Sequence, residues 1–186
     1  MLGAVLTQNT AWINVERALA RLSAQVPLSP DALLALPEAE LAELIRPAGY
    51  FNVKARRLRA FCAALVAAGG EQALSALDTD SLRSLLLGIH GVGPETADDM
   101  LLYAFGRPVF VVDAYTRRIF ERLGLLDGVE GYEHIRSLFE RTLGPDPALF
   151  NEYHALIVRH GKDVCRARAP RCGDCCLAKV CAGRAS

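Results

Sequence analysis

The chain has 186 residues, of which 52% are hydrophobic, so it is long enough to bury one large core or two small ones. Its 21 basic residues balance its 21 acidic residues, and this zero net charge excludes any argument from overall charge for a nucleic-acid or membrane-surface partner. No apolar run approaches the roughly 18 residues needed to cross a bilayer. The first residues lack the positive charge of a signal peptide, and we therefore expect a cytoplasmic protein.

Aromatic and β-branched residues are sparse, and no stretch alternates apolar and polar residues for long enough to form a sheet. Apolar residues recur at helical spacing instead, which predicts an all-α protein. The helical pattern begins almost at Met1, so we expect that a segment upstream of this sequence is missing.

A polar segment, residues 7–10, separates the first two helical patterns and contains Gln8 and Asn9. Such a segment is typical of a helix N-cap, and Thr10 is a candidate for that role. Trp12, which is the one tryptophan of the chain, follows directly. A tryptophan in this setting most often fills a core, so neither feature alone indicates a function.

The next feature is a turn at Gly49 that presents Tyr50 and Phe51 at its tip, followed by a predicted helix from Lys54 to Ala68. Exposed aromatic residues between basic residues are typical of a wedge that enters a base step of DNA, with Tyr50 as the wedge and Phe51 as its support. Packing beneath the loop is the alternative. The stretch 46–59 contains no acid and five basic residues, namely Arg46, Lys54, Arg56, Arg57 and Arg59. This local charge predicts a track for DNA phosphates, and the alternative is that these are ordinary solvated side chains.

Gly91 and Gly93 flank a single apolar residue between two helical patterns, and Pro94 opens the second helix. Two glycines in this arrangement permit a tight turn with exposed backbone amides, which is a nest for a phosphate. The motif predicted here is a helix-hairpin-helix. A plain connector between two helices fits the same residues.

A short apolar run, residues 109–112, ends abruptly at Asp113, after which a helical pattern resumes. Asp113 is therefore either a plain N-cap or a carboxylate held on a buried wall and directed into a cleft. Together with the preceding hairpin, this segment resembles the helix-hairpin-helix and Gly/Pro-rich loop of the endonuclease III-like DNA glycosylases. The resemblance implies that Asp113 is catalytic, and it includes the run around His154 and His160, to which we assign no catalytic role.

Four cysteines near the end have the spacing C-x6-C-x2-C-x5-C, namely Cys165, Cys172, Cys175 and Cys181. Four thiolates this close require a metal, and a Cys₄ set suits zinc or an iron–sulfur cluster. Zinc sites more often pair two C-x2-4-C knuckles, and the spacing here resembles the [4Fe-4S] loop of the endonuclease III family. Cys176 is interpreted as a bystander and Cys62 as a buried apolar residue. Arg166 and Arg168, between the first two cysteines, are predicted to contact phosphates.

The resemblance spans nearly the whole chain and implies two domains, a six-helix domain over residues 1–108 and an iron–sulfur domain over 109–186. A monomer would bind double-stranded DNA containing a damaged base in the groove between them, on the bacterial nucleoid. The resemblance places Gln8 and Asn9 in the DNA-facing groove, where Asn9 would fill the hole left by an extruded base, and Trp12 would stack on that base.

Bifunctional relatives have a lysine nucleophile two residues after the second hairpin glycine, where this chain has Glu95. Glu95 is either a pocket residue or an ordinary first-turn acid. The resemblance thus implies a monofunctional glycosylase that uses water, and segment 7–12 with Glu95 resembles the 3-methyladenine branch, which acts on alkylated purines. The alternatives are an oxidised-pyrimidine glycosylase with AP-lyase activity and a non-catalytic module that binds damaged DNA.

Overall fold

The computed structural model describes residues 1–185, with side-chain surroundings given as far as residue 183. Within these residues the secondary structure is entirely helical, which confirms the predicted all-α class. The chain divides into two compact units, one from Met1 to Phe105 and one from Gly106 onward. None of the described helices is both long enough and apolar enough to cross a membrane.

The first unit contains eight α-helical segments, whereas the resemblance implies six helices. Two of the eight, α1 and α6, are only slightly longer than one turn, and without them the number is six. Segment α6 follows two glycines and was not predicted, since five residues are too few to display a helical period. A 3₁₀ turn, Arg46–Ala48, precedes α5. The helices are α1 Leu2–Leu6, α2 Trp12–Ser23, α3 Pro30–Ala35, α4 Glu38–Leu44, α5 Phe51–Ala67, α6 Glu71–Ser75, α7 Thr79–Leu87 and α8 Pro94–Tyr103.

Helix α5 is the central element of this unit and packs against α1, α3 and α4. It begins three residues earlier than predicted, because the Tyr50 carbonyl already accepts the amide of Lys54. Its inward face includes Leu58, Phe61 and Cys62, all of which are buried. Burial raises the pKa of the Cys62 thiol to about 11, which fits the predicted role of a small apolar core residue.

The second unit opens with the buried run 109–112 and continues through α9 Ala114–Leu123, α10 Tyr132–Leu143 and α11 Pro147–Asp163. Phe110 anchors its core, stacked on Phe139 at 4.2 Å between ring centroids. Helices α9 and α11 pack so closely that a Cβ at Gly161 would lie 2.4 Å from the Tyr115 ring. This packing brings the first turn of α9 alongside α11.

Candidate active site

Asp113 is the N-cap of α9, as its position after a buried run predicted. Its Oδ1 accepts hydrogen bonds from the backbone amide of Thr116 at 2.7 Å and from the Thr116 hydroxyl at 3.0 Å. Its Oδ2 faces Nε2 of His154 on α11, 3.6 Å away. The carboxylate is 12% exposed, so it is both a cap and a charge held at the edge of a core.

Opposing effects determine the protonation state of Asp113. Burial of the carboxyl works to raise its pKa, but the His154 imidazole and the Thr116 amide and hydroxyl lower it by more, so the pKa of Asp113 lies below its ordinary value. Asp113 is therefore ionised at neutral pH. Sequence analysis assigned no role to His154 and did not predict its contact with Asp113, because the two residues are 41 positions apart and only helical spacing on α11 could have suggested an inward position.

The two hairpin glycines between α7 and α8 differ in their surroundings. Gly91 has φ +85°, and a Cβ there would lie 2.3 Å from Cγ of Arg57, so both the backbone conformation and the close approach require glycine. Gly93 has an extended backbone, caps α8, and has open space where its Cβ would be. Gly91 thus shapes the hairpin, and Gly93 leaves its outer face clear.

In the polar segment between α1 and α2, the Gln8 side chain is engaged within the protein and Asn9 is exposed. Gln8 donates from Nε2 to the Gly91 carbonyl at 3.0 Å and to the Thr96 hydroxyl at 2.9 Å, and its Oε1 accepts a bond from Arg57. Asn9 is exposed and has φ +54°. Of the two residues predicted to meet DNA, Asn9 points to solvent, whereas the Gln8 amide is engaged within the protein.

Trp12 is 48% exposed, so it is not the core residue that a lone tryptophan suggests. Its ring lies against Gly3, where an added Cβ would be 3.1 Å from Cη2. Its Nε1 donates to Oε1 of Glu16 at 3.0 Å. The indole is therefore held in place while much of its surface remains accessible.

In the turn that follows Gly49, Tyr50 is the outermost residue, with 71% of the Tyr50 surface exposed, and Phe51 is half-buried. The five neighbouring basic residues do not form the continuous phosphate track that the sequence suggested, because three of their charged groups bind carbonyl or amide oxygens of the protein: Lys54, Arg57 and Arg59. Arg46 and Arg56 remain exposed.

The segment that follows α11, residues 165–181, contains the four predicted ligands and is called the Cys loop here. All six cysteines of the chain have free thiols. Arg122, in the last turn of α9, donates to Sγ of Cys165 at 3.3 Å, and its carbonyl accepts from Sγ of Cys181, also at 3.3 Å. Nε2 of His160 lies 3.6 Å from Sγ of Cys175.

Within the described residues, no three His, Cys, Asp or Glu side chains are gathered closely enough to hold a metal ion. The donors nevertheless suit a soft metal centre, because the four thiols are unpaired and partly buried and thiolates are the ligands that soft metals prefer. Arg166 and Arg168 are exposed on the same loop. Arg122 holds the loop backbone there through the carbonyls of Arg166 and Ala167.

Comparison with known proteins identifies the family. The profile of the HhH-GPD superfamily base excision DNA repair proteins matches residues 2–145 of this chain. The chain belongs to this family.

Individual relatives agree with this assignment. A protein of Methanocaldococcus jannaschii, provisionally named a DNA repair glycosylase, is 47% identical over 97% of this chain and 83% of its own length. Endonuclease III of Escherichia coli K12 is 30% identical over 97% of this chain and 81% of its own length. This HhH-GPD protein is therefore an endonuclease III-like DNA glycosylase, a hydrolase of N-glycosyl bonds.

Solved structures resemble it along most of their length. A non-covalent complex of endonuclease III with DNA has a TM-score of 0.85 and 26% identity, and the match covers 99% of this chain and 82% of that one. The 3-methyladenine DNA glycosylase of H. pylori bound to 1,N6-ethenoadenine has a TM-score of 0.77 and 28% identity, covering 87% of this chain and 82% of that one.

Because the open face of the hairpin depends on Gly93, a side chain there should weaken binding of DNA by this HhH-GPD protein. We expect Gly93→Val to raise the dissociation constant for duplex DNA about tenfold, in a fluorescence anisotropy titration at fixed salt. Gly131→Val is the matched control, since Gly131 also caps a helix with open space at its Cβ position. Both variants should lose about 1 kcal/mol of stability, and equal affinities would exclude the hairpin as a phosphate site.

The contact between His154 and Asp113 predicts how the rate of base release depends on pH. A carboxyl with a depressed pKa keeps its charge, and its contribution to stability, until the pH falls through that pKa. Removing the imidazole in His154→Phe should raise the pKa of Asp113 and move the acid limb of the base-release profile to higher pH. His134→Phe, at an exposed histidine of α10, should leave the limb in place. A uniform loss of rate at every pH would indicate a purely structural His154.

Proposed function

We propose that this chain is a monofunctional DNA glycosylase that binds double-stranded DNA, extrudes a damaged base and hydrolyses its N-glycosidic bond with water. The observation that carries the proposal is the ionised, mostly buried Asp113 at the start of α9. A binding module would not need a carboxylate held in its charged form at the edge of a core, where isolated charges are costly.

Cleavage of an N-glycosidic bond develops positive charge on the sugar. The Asp113 carboxylate suits the stabilisation of that charge, because the surrounding core screens it less than water would. Oδ1 already accepts two bonds from Thr116, so Oδ2, which lies 3.6 Å from Nε2 of His154, is the oxygen that would face the sugar or orient the attacking water.

The lysines support the use of water. Burial, with a smaller contribution from the Arg57 charge, lowers the pKa of Lys54 to about 8, as an amine nucleophile would require. Its Nζ is nevertheless buried and bonded to two carbonyls, so it does not serve as a nucleophile in this proposal.

The remaining lysines lie far from Asp113. Lys162 lies about 12 Å along α11 from His154, the partner of Asp113, which is beyond the reach of its side chain. Lys179 belongs to the Cys loop, which Arg122 holds at the end of α9 opposite Asp113. The lyase position itself is Glu95, which is exposed in the first turn of α8.

Alkylated purines are the substrate class that fits these residues. A water-using enzyme acts best on bases that already leave readily, and a cationic purine is such a base. The exposed indole of Trp12 offers a face for cation–π stacking, and the Glu16 carboxylate bonded to its Nε1 adds negative charge nearby. The similarity to a 3-methyladenine DNA glycosylase supports the same choice.

The Cys loop in this proposal holds a [4Fe-4S] cluster through Cys165, Cys172, Cys175 and Cys181. When bound, the cluster would supply thiolate cross-links that rigidify a loop otherwise short of core residues. Arg166 and Arg168 would then present a fixed pair of charges to the DNA backbone.

One assay tests the proposal against its alternatives. Incubated with duplex DNA methylated on its purines, the protein should release free base and leave the abasic strand intact, and borohydride should trap no covalent complex. Trapping, or release of base from a second duplex that contains an oxidised pyrimidine but not from the methylated one, would favour a lyase of the endonuclease III type, to whose structure the TM-score is higher, at 0.85. Binding without release of either base would leave a non-catalytic module.

A further inference from the structure

Two basic residues in the first turns of α5, Lys54 and Arg57, bind neighbouring loops of the chain through their charged groups. Lys54 is 1% exposed, and its Nζ donates to the carbonyl of Leu6 at 2.8 Å and to that of Ala48 at 2.7 Å. Leu6 is the last residue of α1, and Ala48 is the last of the 3₁₀ turn. Carbonyls at helix ends lack intrahelical partners, and a cation is favourable beside them. A single ammonium group thus joins two chain segments that lie 48 and 6 residues away from it in sequence.

Arg57, one turn later, makes the corresponding link to the hairpin. Its Nη1 donates to Oε1 of Gln8, and its aliphatic part lies against Gly91, where an added Cβ would clash with Cγ. Gln8 in turn donates to the Gly91 carbonyl and the Thr96 hydroxyl. The polar segment, the hairpin and α5 are therefore tied together through one amide and one guanidinium group.

The segments joined in this way end in the two exposed residues that were predicted to enter DNA. Asn9 lies three residues after Leu6, and Tyr50 lies two after Ala48. Both have left-handed backbones, with φ of +54° and +48°. Residues other than glycine persist in that conformation when their surroundings impose it, and such residues often mark functional loops.

We infer that Lys54 and Arg57 are positioning residues, which hold Asn9, Tyr50 and the hairpin in the arrangement needed for base extrusion before DNA is bound. The inference rests on the proposed function. The physical reason is that Tyr50, as the wedge, and Asn9, as the gap-filling residue, are already ordered in the free protein. Binding of DNA then does not have to include the entropic cost of ordering them. Neither side chain touches the substrate in this role.

Arg59 provides a matched control on the same helix. Its Nη1 donates to the carbonyls of Leu34 and Leu36, so it also joins α5 to a chain segment through backbone oxygens. That segment, at the end of α3, carries none of the predicted DNA contacts. Arg57→Met and Arg59→Met should therefore cost similar stability and differ in function.

Base extrusion can be read directly from the fluorescence of 2-aminopurine placed in the target duplex, separately from base release. We expect wild type and Arg59→Met to raise the fluorescence equally, and Arg57→Met to slow the rise at least tenfold with its affinity for DNA within threefold of wild type. Tyr50→Ala should show a similar loss, and the double variant Arg57→Met/Tyr50→Ala should lose no more than either single variant. Lys54→Met should behave like Arg57→Met where it folds, and Lys54→Arg should restore part of the rate.

Three outcomes would overturn the inference. These are a wild-type rate in folded Arg57→Met, an equal loss in Arg59→Met, and losses that multiply in the double variant. Circular dichroism at the assay temperature identifies variants that fail to fold, and Arg57→Met decides the matter when Lys54→Met does not fold. No fluorescence rise with wild type would reject the proposed function itself, and the inference with it.

Discussion

Replacing Asp113 with asparagine should reduce the single-turnover rate of base release by about 10³-fold. Asparagine retains the size of the side chain and an oxygen that can cap α9, but it removes the negative charge that would stabilise the sugar cation. Folding and affinity for DNA should therefore change little. The measurement is release of labelled base from methylated duplex with the enzyme in excess, together with an anisotropy titration and a thermal melt.

Asp146→Asn is the matched control for this experiment. Asp146 is the N-cap of α11 and accepts amides of the first turn as Asp113 does, but it is exposed. Its replacement should have a similar effect on stability and leave base release unchanged. A full rate in Asp113→Asn would reduce Asp113 to a helix cap.

Serine at any of the four predicted ligands should remove the yellow-brown colour expected of a [4Fe-4S] protein and lower the melting temperature by about 10 °C. The reason is that a hydroxyl does not replace a thiolate at iron, and the binding free energy of a structural centre is also folding free energy. Visible absorbance, iron analysis and a thermal melt provide the readout for Cys165→Ser, Cys172→Ser, Cys175→Ser and Cys181→Ser.

Cys176→Ser is the control for the ligand series, because Cys176 is exposed beside Cys175 and is predicted to bind nothing. It should keep both the colour and the melting temperature. Cys62→Ser, in the core of α5, should keep the colour while losing stability. Stoichiometric zinc with no iron in the purified protein would contradict the cluster, and the Cys₄ set would then be a zinc site.

The features that sequence analysis predicted well have local causes. A buried run followed by an aspartate and a helical pattern defines an N-cap within a few residues, and Asp113 occupies that position. The Gly91–Gly93 hairpin between α7 and α8 is equally local. The all-α class follows from a helical period repeated over the whole chain.

Contacts between distant residues could not be predicted in this way. The partner of Asp113 on α11 and the carbonyls that bind Lys54 are brought near by packing, for which one sequence carries no signal. The five basic residues near α5 illustrate the same limit, since composition does not distinguish a solvated arginine from one such as Arg59 that binds backbone oxygens. Burial, rather than residue type, separates the two cases.

The left-handed residues have a consequence for any effort to make this enzyme more heat-resistant. In the described part of the chain, Asn9, Tyr50 and Ala169 are the residues other than glycine with positive φ, and each conformation costs roughly 1 kcal/mol that glycine would recover. A selection for melting temperature alone would accept glycine at all three positions. These three residues lie in loops proposed to contact DNA. The selection would therefore favour proteins that survive heating but no longer repair DNA.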